Sequence, residues 1–324
     1  MIEHRVNIDF EYELFDPRFK ASNRKYKKLC EEYEFIYFFM EKTELCLSTN
    51  RQYDQDYLYY IESIIENKIK LTDYNDNAIT WWGSFEDIEL EKKLNSKETS
   101  FKISEKLMIL PEHSYLVKDA INWPKLNQNF KYLIKNPFMM SGRGQKQLIH
   151  SNNYNHEKLP IIIEPLHKVV ADYGLRIDFQ KGLKYFVQLY NINGKQFSGG
   201  KIIKVIPKQN SIDLESLIKK ITDEFLDIGC KESIQIDCYQ HQDGFRYLCE
   251  ANHRKTMGDL IFSLHESFDP ELKGKGLYVE NKYFNSFKDI KAFLGTKIFT
   301  LDKKKGIIPC SPPGNLKTWF YEVE

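Results

Sequence analysis

The sequence predicts a mixed α/β protein built from two regions of different character, and three observations lead to this expectation. The chain has 324 residues, which is enough for about two domains. Up to about residue 110, short apolar segments alternate with segments of helical spacing, as in a small α/β domain. From 111 to 324, apolar strands joined by glycine-containing turns indicate β-hairpins. The expected fold class is therefore α/β (α+β), with an α/β domain over 1–110 and antiparallel sheets over 111–324.

The composition is that of an ordinary globular protein and excludes several other classes. Hydrophobic residues make up 42% and charged residues 29%, which excludes a disordered chain, a collagen-like fibre and a polytopic membrane protein. The 47 basic and 46 acidic residues leave a net charge of +1, so the whole chain has no electrostatic attraction to nucleic acid or anionic lipid. We therefore expect neither a nucleic-acid nor a membrane partner.

The expected location is the cytoplasm. The start of the chain, Met1–Asp16, is acidic and lacks the long apolar core of a secretory signal. The apolar run Glu34–Met40 is far shorter than the ~18 residues of a membrane span. The six cysteines are scattered without a CxxC pair, which predicts free thiols rather than a disulfide framework or a zinc site.

In the N-terminal region, the pattern of apolar and charged residues predicts helices, strands and a linker. Arg24–Glu34 is a charged helical segment, and Tyr57–Leu71 has apolar residues at helical spacing. The apolar runs Phe35–Phe39 and Glu44–Thr49 are predicted as strands. The polar stretch Ser96–Lys106 is predicted as the linker to the second region.

The second region contains several short apolar segments separated by turn residues. The predicted strands are Tyr132–Phe138, Leu159–Leu166, Tyr185–Tyr190, Lys201–Ile206, Ser233–Tyr239 and Phe245–Asn252. Asn193-Gly194 and Asp243-Gly244 provide turns for two hairpins. Apolar residues recur on one face of Asp213–Leu226, which predicts a helix.

The second of these hairpins carries a candidate magnesium site. Glu250 and Asn252 are two positions apart on one strand and so share a face, and Asp237 on the partner strand can project toward them. Carboxylate and amide oxygens are ligands that Mg²⁺ prefers. Arg254 continues the alternation and could stabilise phosphate charge. A solvated hairpin face with ordinary charges is the alternative.

A second candidate combines a strand lysine with a glycine-rich loop. Lys135 lies on a predicted strand shortly before Ser141, Gly142, Arg143 and Gly144. The glycines allow backbone N–H groups to approach phosphate oxygens, and the arginine adds a bidentate phosphate partner. A lysine followed by a glycine-rich turn also occurs by chance, so this motif is weak when taken alone.

The third candidate is Glu164, at the end of the apolar strand in Leu159–Leu166. Such a strand suits the segment beside an adenine pocket, where backbone groups read the edge of the base and an acidic side chain lies nearby. The alternative is a core strand that ends in a glutamate.

In this order, the three motifs resemble those of the ATP-grasp superfamily of ATP-dependent carboxylate ligases. The resemblance covers about 120–265, and the N-terminal region fits a pre-ATP-grasp domain in outline. It implies that Lys135 is the strand lysine, Ser141–Gly144 the mobile lid and Glu164 the adenine hinge. Asp237, Glu250 and Asn252 match the two acidic metal ligands and the asparagine, and Arg254 matches the arginine. The family's architecture implies a lid subdomain at about 130–165, a metal-binding core at about 185–265 and a C-terminal extension over 266–324.

Two features of the family have no clear match. A further phosphate-contacting lysine is expected upstream of the strand lysine; Lys125 is the assigned candidate, and Lys118 competes with it. The acidic residue that contacts the ribose is not evident after the hinge. The acceptor pocket is expected to involve the aromatic turn Trp81–Ser84 and the segment Asp172–Asp178, which includes Arg176.

The resemblance implies an ATP-dependent ligase that joins a carboxylate to an amine through an acyl phosphate. ATP and Mg²⁺, with Mn²⁺ as a substitute, are the implied cofactors, and the substrates are a small carboxylate and an amine or a short peptide. Lys135, Arg143 and Arg254 are the expected catalytic cations. A small-molecule kinase and an inactive nucleotide-binding scaffold are the alternatives. A thiol or a hydroxyl in place of the amine and the oligomeric state, including a homodimer, stay open.

Overall fold

The computed structural model describes residues 3–8, 10, 14, 24–41, 44–75, 77–80, 82–83, 86–119, 121–138, 144–148, 159–192, 196–205 and 213–324. Within these ranges the chain forms one parallel and two antiparallel sheets with flanking helices. The mixed α/β class with antiparallel sheets, which the sequence predicts, is therefore confirmed. None of the helices in these ranges combines the length and apolar character that a membrane crossing requires. All six cysteines are free, as expected.

The N-terminal region contains a parallel sheet of four short strands. These are β1 (Glu3–Arg5), β2 (Leu45–Ser48), β3 (Ile69–Thr72) and β4 (Ile79–Thr80), in the order β3-β2-β1-β4. The helices of this region are α1 (Arg24–Tyr33), α2 (Ile36–Met40), α3 (Gln55–Ile65), α4 (Ile88–Asn95) and α5 (Lys97–Lys106). The predicted helix Tyr57–Leu71 is thus a helix followed by the strand β3.

Two predictions for this region were wrong. Phe35–Phe39, predicted as a strand, lies in the turn before α2 and in α2 itself, and its side chains are buried. A short run that is apolar on all sides has no periodicity to separate a buried strand from a buried helix. Ser96–Lys106, predicted as a linker, is the N-cap and body of α5, which buries Phe101 and Ile103.

The second sheet is small and antiparallel. Its strands are β5 (Tyr115–Val117), β6 (Tyr132–Lys135), β7 (Gln145–Leu148) and β8 (Ile161–Pro165), in the order β5-β8-β6-β7. The central strand β8 is buried along its whole length, including Glu164, which follows three isoleucines. The pairing of β6 with β8 places Leu133 opposite Glu164 and Lys135 opposite Ile162.

The third sheet has eight antiparallel strands and positions the candidate site. They are β9 (Val169–Asp178), β10 (Gly182–Ile192), β11 (Gln196–Ile203), β12 (Ser233–His241), β13 (Gly244–Asn252), β14 (Gly276–Glu280), β15 (Gly306–Pro309) and β16 (Thr318–Val323). Their order is β13-β12-β9-β10-β11-β14-β16-β15. Both predicted hairpin pairings, β10 with β11 and β12 with β13, are confirmed. The turn Asn193-Gly194 lies outside the described residues.

Three helices accompany the large sheet: α6 (Leu214–Ile228), α7 (Met257–Phe268) and α8 (Phe287–Leu294). Helix α6 begins at the N-cap Asp213 and ends at Gly229, whose φ of 111° is open to glycine, and it confirms the predicted helix. Its apolar face packs on one side of the sheet, against alternate residues of β9 and β12. The opposite side of the same strands therefore faces α7 and the N-terminal region.

Candidate active site

The strands β9, β12 and β13 bring polar side chains together on the sheet face opposite α6. Asp237 of β12 pairs directly with Glu250 of β13 on one side and with Gly174 of β9 on the other. Asn252 pairs with Gln235, two positions along the same strands. Because alternate residues of a strand share a face, the sheet register gathers these polar groups at one place.

The three predicted metal ligands lie together. The Asn252 amide Nδ2 donates to Asp237 Oδ2 at 3.0 Å, and Gln235 Nε2 donates to Asp237 Oδ1 at 2.7 Å. Lys97 Nζ of α5 lies 2.7 Å from Glu250 Oε2. The hairpin therefore presents two carboxylates and an amide side by side, with one lysine already balancing part of the negative charge.

The two facing carboxylates have pKa values shifted in opposite directions, because their other neighbours differ. Burial and the facing Glu250 carboxylate raise the pKa of Asp237. Burial also disfavours the charged form of Glu250, but Lys97, together with Arg254 and Lys135, outweighs it and holds the pKa of Glu250 below its ordinary value. Arg254 acts on both carboxylates and Lys135 on Glu250, yet the pKa of Asp237 stays raised, and a bound divalent cation would relieve this cost. The donor set of this hairpin thus fits Mg²⁺.

Among the described residues, no group of three or more His, Cys, Asp or Glu side chains is placed to hold a metal ion. A cation here would bind two carboxylates and the Asn252 amide oxygen, with the remaining positions open to water or phosphate oxygens. Mg²⁺ characteristically takes few protein ligands and keeps such positions for water and phosphates.

Arg254 lies beside this hairpin and is held by its neighbours. Its guanidinium stacks on the Trp82 ring, with 5.1 Å between its Cζ and the ring centroid. Its backbone carbonyl accepts a hydrogen bond of 2.8 Å from Arg176 Nη1, and Arg176 Nε lies 3.3 Å from Asp259 Oδ1. The predicted cation is therefore positioned by β9, by α7 and by the N-terminal region together.

The segment after Arg254 is fixed by the start of α7. Thr256 is the N-cap of this helix, and its hydroxyl and Asp259 form a capping box. The Thr256 hydroxyl also donates to Gln235 Oε1, the residue that holds Asp237. Gly258 is required at this contact, because an added Cβ would lie 2.6 Å from Gln235 Oε1.

These groups line a cleft of about 260 Å³ between the large sheet and the N-terminal region. Asp237, Glu250, Asn252 and Arg254 line one part of it. Side chains from the N-terminal region, including Trp82, complete the wall, so the predicted aromatic turn contributes to the cleft. Trp81 and Ser84 of that turn lie outside the described residues.

Lys135 and Glu164 lie in a buried ion cluster rather than in the open cleft. Lys135 Nζ is 2.5 Å from Glu164 Oε2, and Arg246 Nη2 is 2.9 Å from Glu164 Oε1; all three side chains are at most 5% exposed. Burial alone would raise the pKa of Glu164, but the two cations lower it to about 2. Burial opposes the Lys135 ammonium, yet the nearby Cys249 sulfur and Glu164 raise its pKa.

The other predicted nucleotide contacts fall in different places. Ser141, Gly142 and Arg143 lie outside the described residues. Gly144 has a φ of 69°, which favours glycine, and immediately precedes Gln145, which lines the cleft. The structure does not bring Lys125 to the cleft; its side chain is exposed.

The competing candidate Lys118 is exposed and lies 3.7 Å from Glu98. Of the segment predicted for the acceptor pocket, Asp172 lines the cleft. Asp178 accepts hydrogen bonds from the backbone of the next turn. Arg176 does not line the cleft and instead donates a hydrogen bond to the Arg254 carbonyl.

Sequence reasoning missed Lys97, Gln235, Arg246 and Thr256. The alternation that links Asp237 to its strand neighbours could have identified Gln235, which shares its face. Lys97 sits in a helix of ordinary charged composition, and no local pattern marks it. Arg246 is concealed because the pairing of β12 and β13 shifts register between Asp237 and Tyr239, which breaks the simple alternation.

No protein-family model matches this chain, and the search of curated proteins found no match. Solved structures with a similar fold include phosphoribosylamine–glycine ligase from Thermotoga maritima (15% identity, 74% of this chain, 70% of that chain, TM-score 0.48). N5-carboxyaminoimidazole synthetase from Staphylococcus aureus complexed with ADP is another (11% identity, 91% of both chains, TM-score 0.47). A third is D-alanine–D-alanine ligase from Bacillus anthracis complexed with ATP (12% identity, 82% and 90%, TM-score 0.42). The likeness to these solved structures is distant and concerns the fold alone.

Proposed function

We propose that this protein is an ATP-dependent ligase that joins a carboxylate to an amine through an acyl phosphate. The observation that carries the proposal is the set Asp237, Glu250 and Asn252, which lies on adjacent strands in a cleft beside Arg254. A solvated hairpin face, the alternative reading of this motif, does not account for a facing carboxylate pair inside a cleft. The chemistry of these groups suits Mg²⁺ or Mn²⁺ with a nucleotide triphosphate.

The chemistry explains why a ligase needs such a site. A carboxylate does not react with an amine at neutral pH because its carbonyl is a poor electrophile and its oxygen a poor leaving group. Transfer of the γ-phosphate to the carboxylate supplies the leaving group. A bound Mg²⁺ would supply charge neutralisation at the phosphate oxygens.

In this proposal, three basic side chains at the site have separate roles. Arg254 neutralises charge on the transferred phosphate, and its stacking on Trp82 keeps the guanidinium aimed along the cleft. Lys97 balances Glu250 and takes the place of the upstream lysine that the sequence analysis assigned to Lys125. Lys135 adds positive charge from its buried pair with Glu164, next to the cleft residue Cys249.

The glycine-rich segment Ser141–Gly144, with Arg143, stays the proposed lid over the phosphates. The adenine-side role of Glu164 is indirect in this proposal: its carboxylate orients Lys135 and Arg246 rather than reaching the base. These assignments rest on the sequence motifs together with the position of the ion cluster next to the cleft residue Cys249.

Replacement of Glu250 by alanine tests the proposal. We expect Glu250→Ala to abolish ADP formation in a screen of carboxylates with hydroxylamine as the trapping amine, and to weaken Mg²⁺-dependent binding of a non-hydrolysable ATP analogue by at least about tenfold. Glu232→Ala is the matched control, because Glu232 is exposed just before β12. Circular dichroism checks the fold of both variants. A folded Glu250→Ala variant with normal ADP formation would contradict the metal assignment.

The products of the same screen separate the alternatives. A ligase releases inorganic phosphate and forms the hydroxamate, whereas a kinase that acts on a hydroxyl group forms ADP with a stable phosphate ester and no free phosphate. A scaffold binds the nucleotide without forming ADP with any carboxylate. Release of phosphate that depends on both carboxylate and amine is the result expected here.

A further inference from the structure

The cleft has a second part whose chemistry differs from that of the metal-binding part. Asp172 of β9 pairs with Tyr239 of β12, two positions from the pairing of Gly174 with Asp237. Such diagonal neighbours have Cα atoms roughly 7–8 Å apart, so Asp172 lies about one small substrate away from the proposed metal ligands. Its side chain is partly buried and lines the cleft.

Asp172 is oriented by the neighbouring strand. The Asn191 amide of β10 donates a hydrogen bond to Asp172 Oδ2. Burial raises the pKa of Asp172, and the bond from Asn191 offsets this only in part. A carboxylate in this setting gains from a cationic ligand, because an opposite charge lowers the cost of holding it ionised in a cleft.

A series of neighbouring aromatic rings, the aromatic arc, runs from Arg254 to the strand beside Asp172. Trp82, on which Arg254 stacks, lies 6.4 Å from Tyr33, and Tyr33 lies 6.4 Å from Trp319. Trp319 stacks on Phe197 at 5.6 Å, and Phe197 of β11 pairs with Asn191 of β10. Tyr33, Trp82 and Phe197 all line the cleft. The second part therefore offers one carboxylate and a largely aromatic wall.

The distribution of positive charge restricts the ligand further. Of the described residues that line the cleft, Arg254 is the one with a basic side chain, and it lies beside the metal-binding hairpin. A carboxylate next to the ligand's nitrogen would therefore lie beside Asp172 with no basic partner among these residues. This disfavours a free α-amino acid and favours an amine whose remaining surface is apolar.

We infer that Asp172 binds the ammonium group of the acceptor amine, and that this amine carries an aromatic or similarly large apolar group without a carboxylate beside its nitrogen. The assignment of the amine as the acceptor rests on the proposed function. The binding preference itself rests on Asp172, Asn191 and the aromatic arc. Ammonium groups bind well beside both a carboxylate and aromatic faces.

Calorimetric titration with four probes tests the inference on the full chain at neutral pH. The probes are 2-phenylethylamine, methylamine, L-phenylalanine and phenylacetate. We expect 2-phenylethylamine to bind at least about tenfold more tightly than each of the others, because it alone combines the ammonium and the ring without a carboxylate. Equal or tighter binding of L-phenylalanine or phenylacetate would overturn the assignment of charge, and equal binding of methylamine would overturn the role of the aromatic arc.

Variants identify the residues involved. Asp172→Asn keeps the shape of the side chain and should weaken 2-phenylethylamine by about tenfold or more, since it removes a charge-assisted bond. Asp223→Asn, an exposed position of α6 with the same change of charge, should bind as the wild type does. Phe197→Ala should weaken 2-phenylethylamine more than methylamine, which tests the site independently of Asp172. Unchanged binding by a folded Asp172→Asn variant would refute the inference.

Nucleotide binding separates this inference from the proposed function. Titration of the wild type with Mg²⁺ and the ATP analogue is run beside the amine titrations. Binding of the nucleotide without selective binding of 2-phenylethylamine would refute the inference and leave the ligase proposal intact. Selective amine binding without Mg²⁺-dependent nucleotide binding would refute the ligase proposal and leave an ammonium site at Asp172.

Discussion

At the scale of single residues, the chain contains two buried carboxylates whose pKa values shift in opposite directions. Glu164 is buried between two cations, and its pKa falls to about 2. Glu34 is also buried, but its partners are the hydroxyls of Thr49, at 2.7 Å, and Tyr53, at 3.0 Å. Burial therefore raises the pKa of Glu34 to about 7, because two neutral donors do not repay the cost of holding a charge.

The raised pKa of Glu34 predicts a pH-dependent loss of stability. Its pKa in the unfolded chain is near the ordinary 4.5, so the folded state binds the extra proton between pH 4.5 and about 7. The stabilisation is complete below pH 4.5 and disappears as the pH rises through 7. We expect the free energy of unfolding of the wild type to fall by about 3 kcal/mol relative to Glu34→Gln over this range.

Urea denaturation of both proteins at pH 4.5, 5.5, 6.5 and 7.5 measures this difference. The subtraction matters because other titrating groups affect both proteins alike. A difference between wild type and Glu34→Gln that stays constant with pH would contradict the raised pKa.

At the scale of elements, two helices begin with the same device but in different surroundings. Thr256 is the N-cap of α7 and Ser286 that of α8, and each forms a complete capping box. The Thr256 hydroxyl makes a further bond to Gln235, which in turn holds Asp237. Ser286, in contrast, is not among the residues that line the cleft. A cap near the site can therefore affect both the helix and the proposed metal ligands.

Replacement of the two caps should separate these effects. Thr256→Val and Ser286→Ala should each lower the free energy of unfolding by about 1 kcal/mol, as measured by urea denaturation. Thr256→Val should also weaken Mg²⁺-dependent binding of the ATP analogue, because it frees Gln235, whereas Ser286→Ala should not. The role assigned to Thr256 is wrong if the two variants bind the analogue equally well.

At the scale of the whole molecule, the largest hydrophobic core includes residues from both ends of the chain. It joins Phe38 and Tyr57 of the N-terminal region to Phe287 and Phe320 near the C-terminus. Tyr57 and Phe287 have their rings 5.7 Å apart, and the Tyr57 hydroxyl donates to the carbonyl of Cys310. This core crosses the boundary expected near residue 110. We propose that the parts of the two expected domains that pack into this shared core unfold together.

Hydrogen exchange under increasing urea tests this cooperation. Amides of α3 and α8 should lose protection at the same urea concentration, since both pack into one core. Phe287→Ala should lower the free energy of unfolding by about 3–5 kcal/mol and shift both helices equally. Loss of protection in α8 while α3 stays protected would show that the regions unfold separately.

The sequence by itself determined the elements whose pattern is local. Alternation of apolar and polar residues predicts the hairpin β12–β13, an apolar run predicts the buried strand β8, and helical spacing predicts α6. The candidate ligands Asp237, Glu250 and Asn252 follow from that hairpin. Tertiary structure decided what depends on contacts between distant segments. It made all of Phe35–Phe39 except Phe35 helical, since a run that is apolar on all sides takes its form from its surroundings. It also brought Lys97 to Glu250, enclosed Lys135 with Arg246, and placed Asp172 in the same cleft as three side chains of the aromatic arc, because charge pairing and burial act through space and leave no periodic trace in the chain.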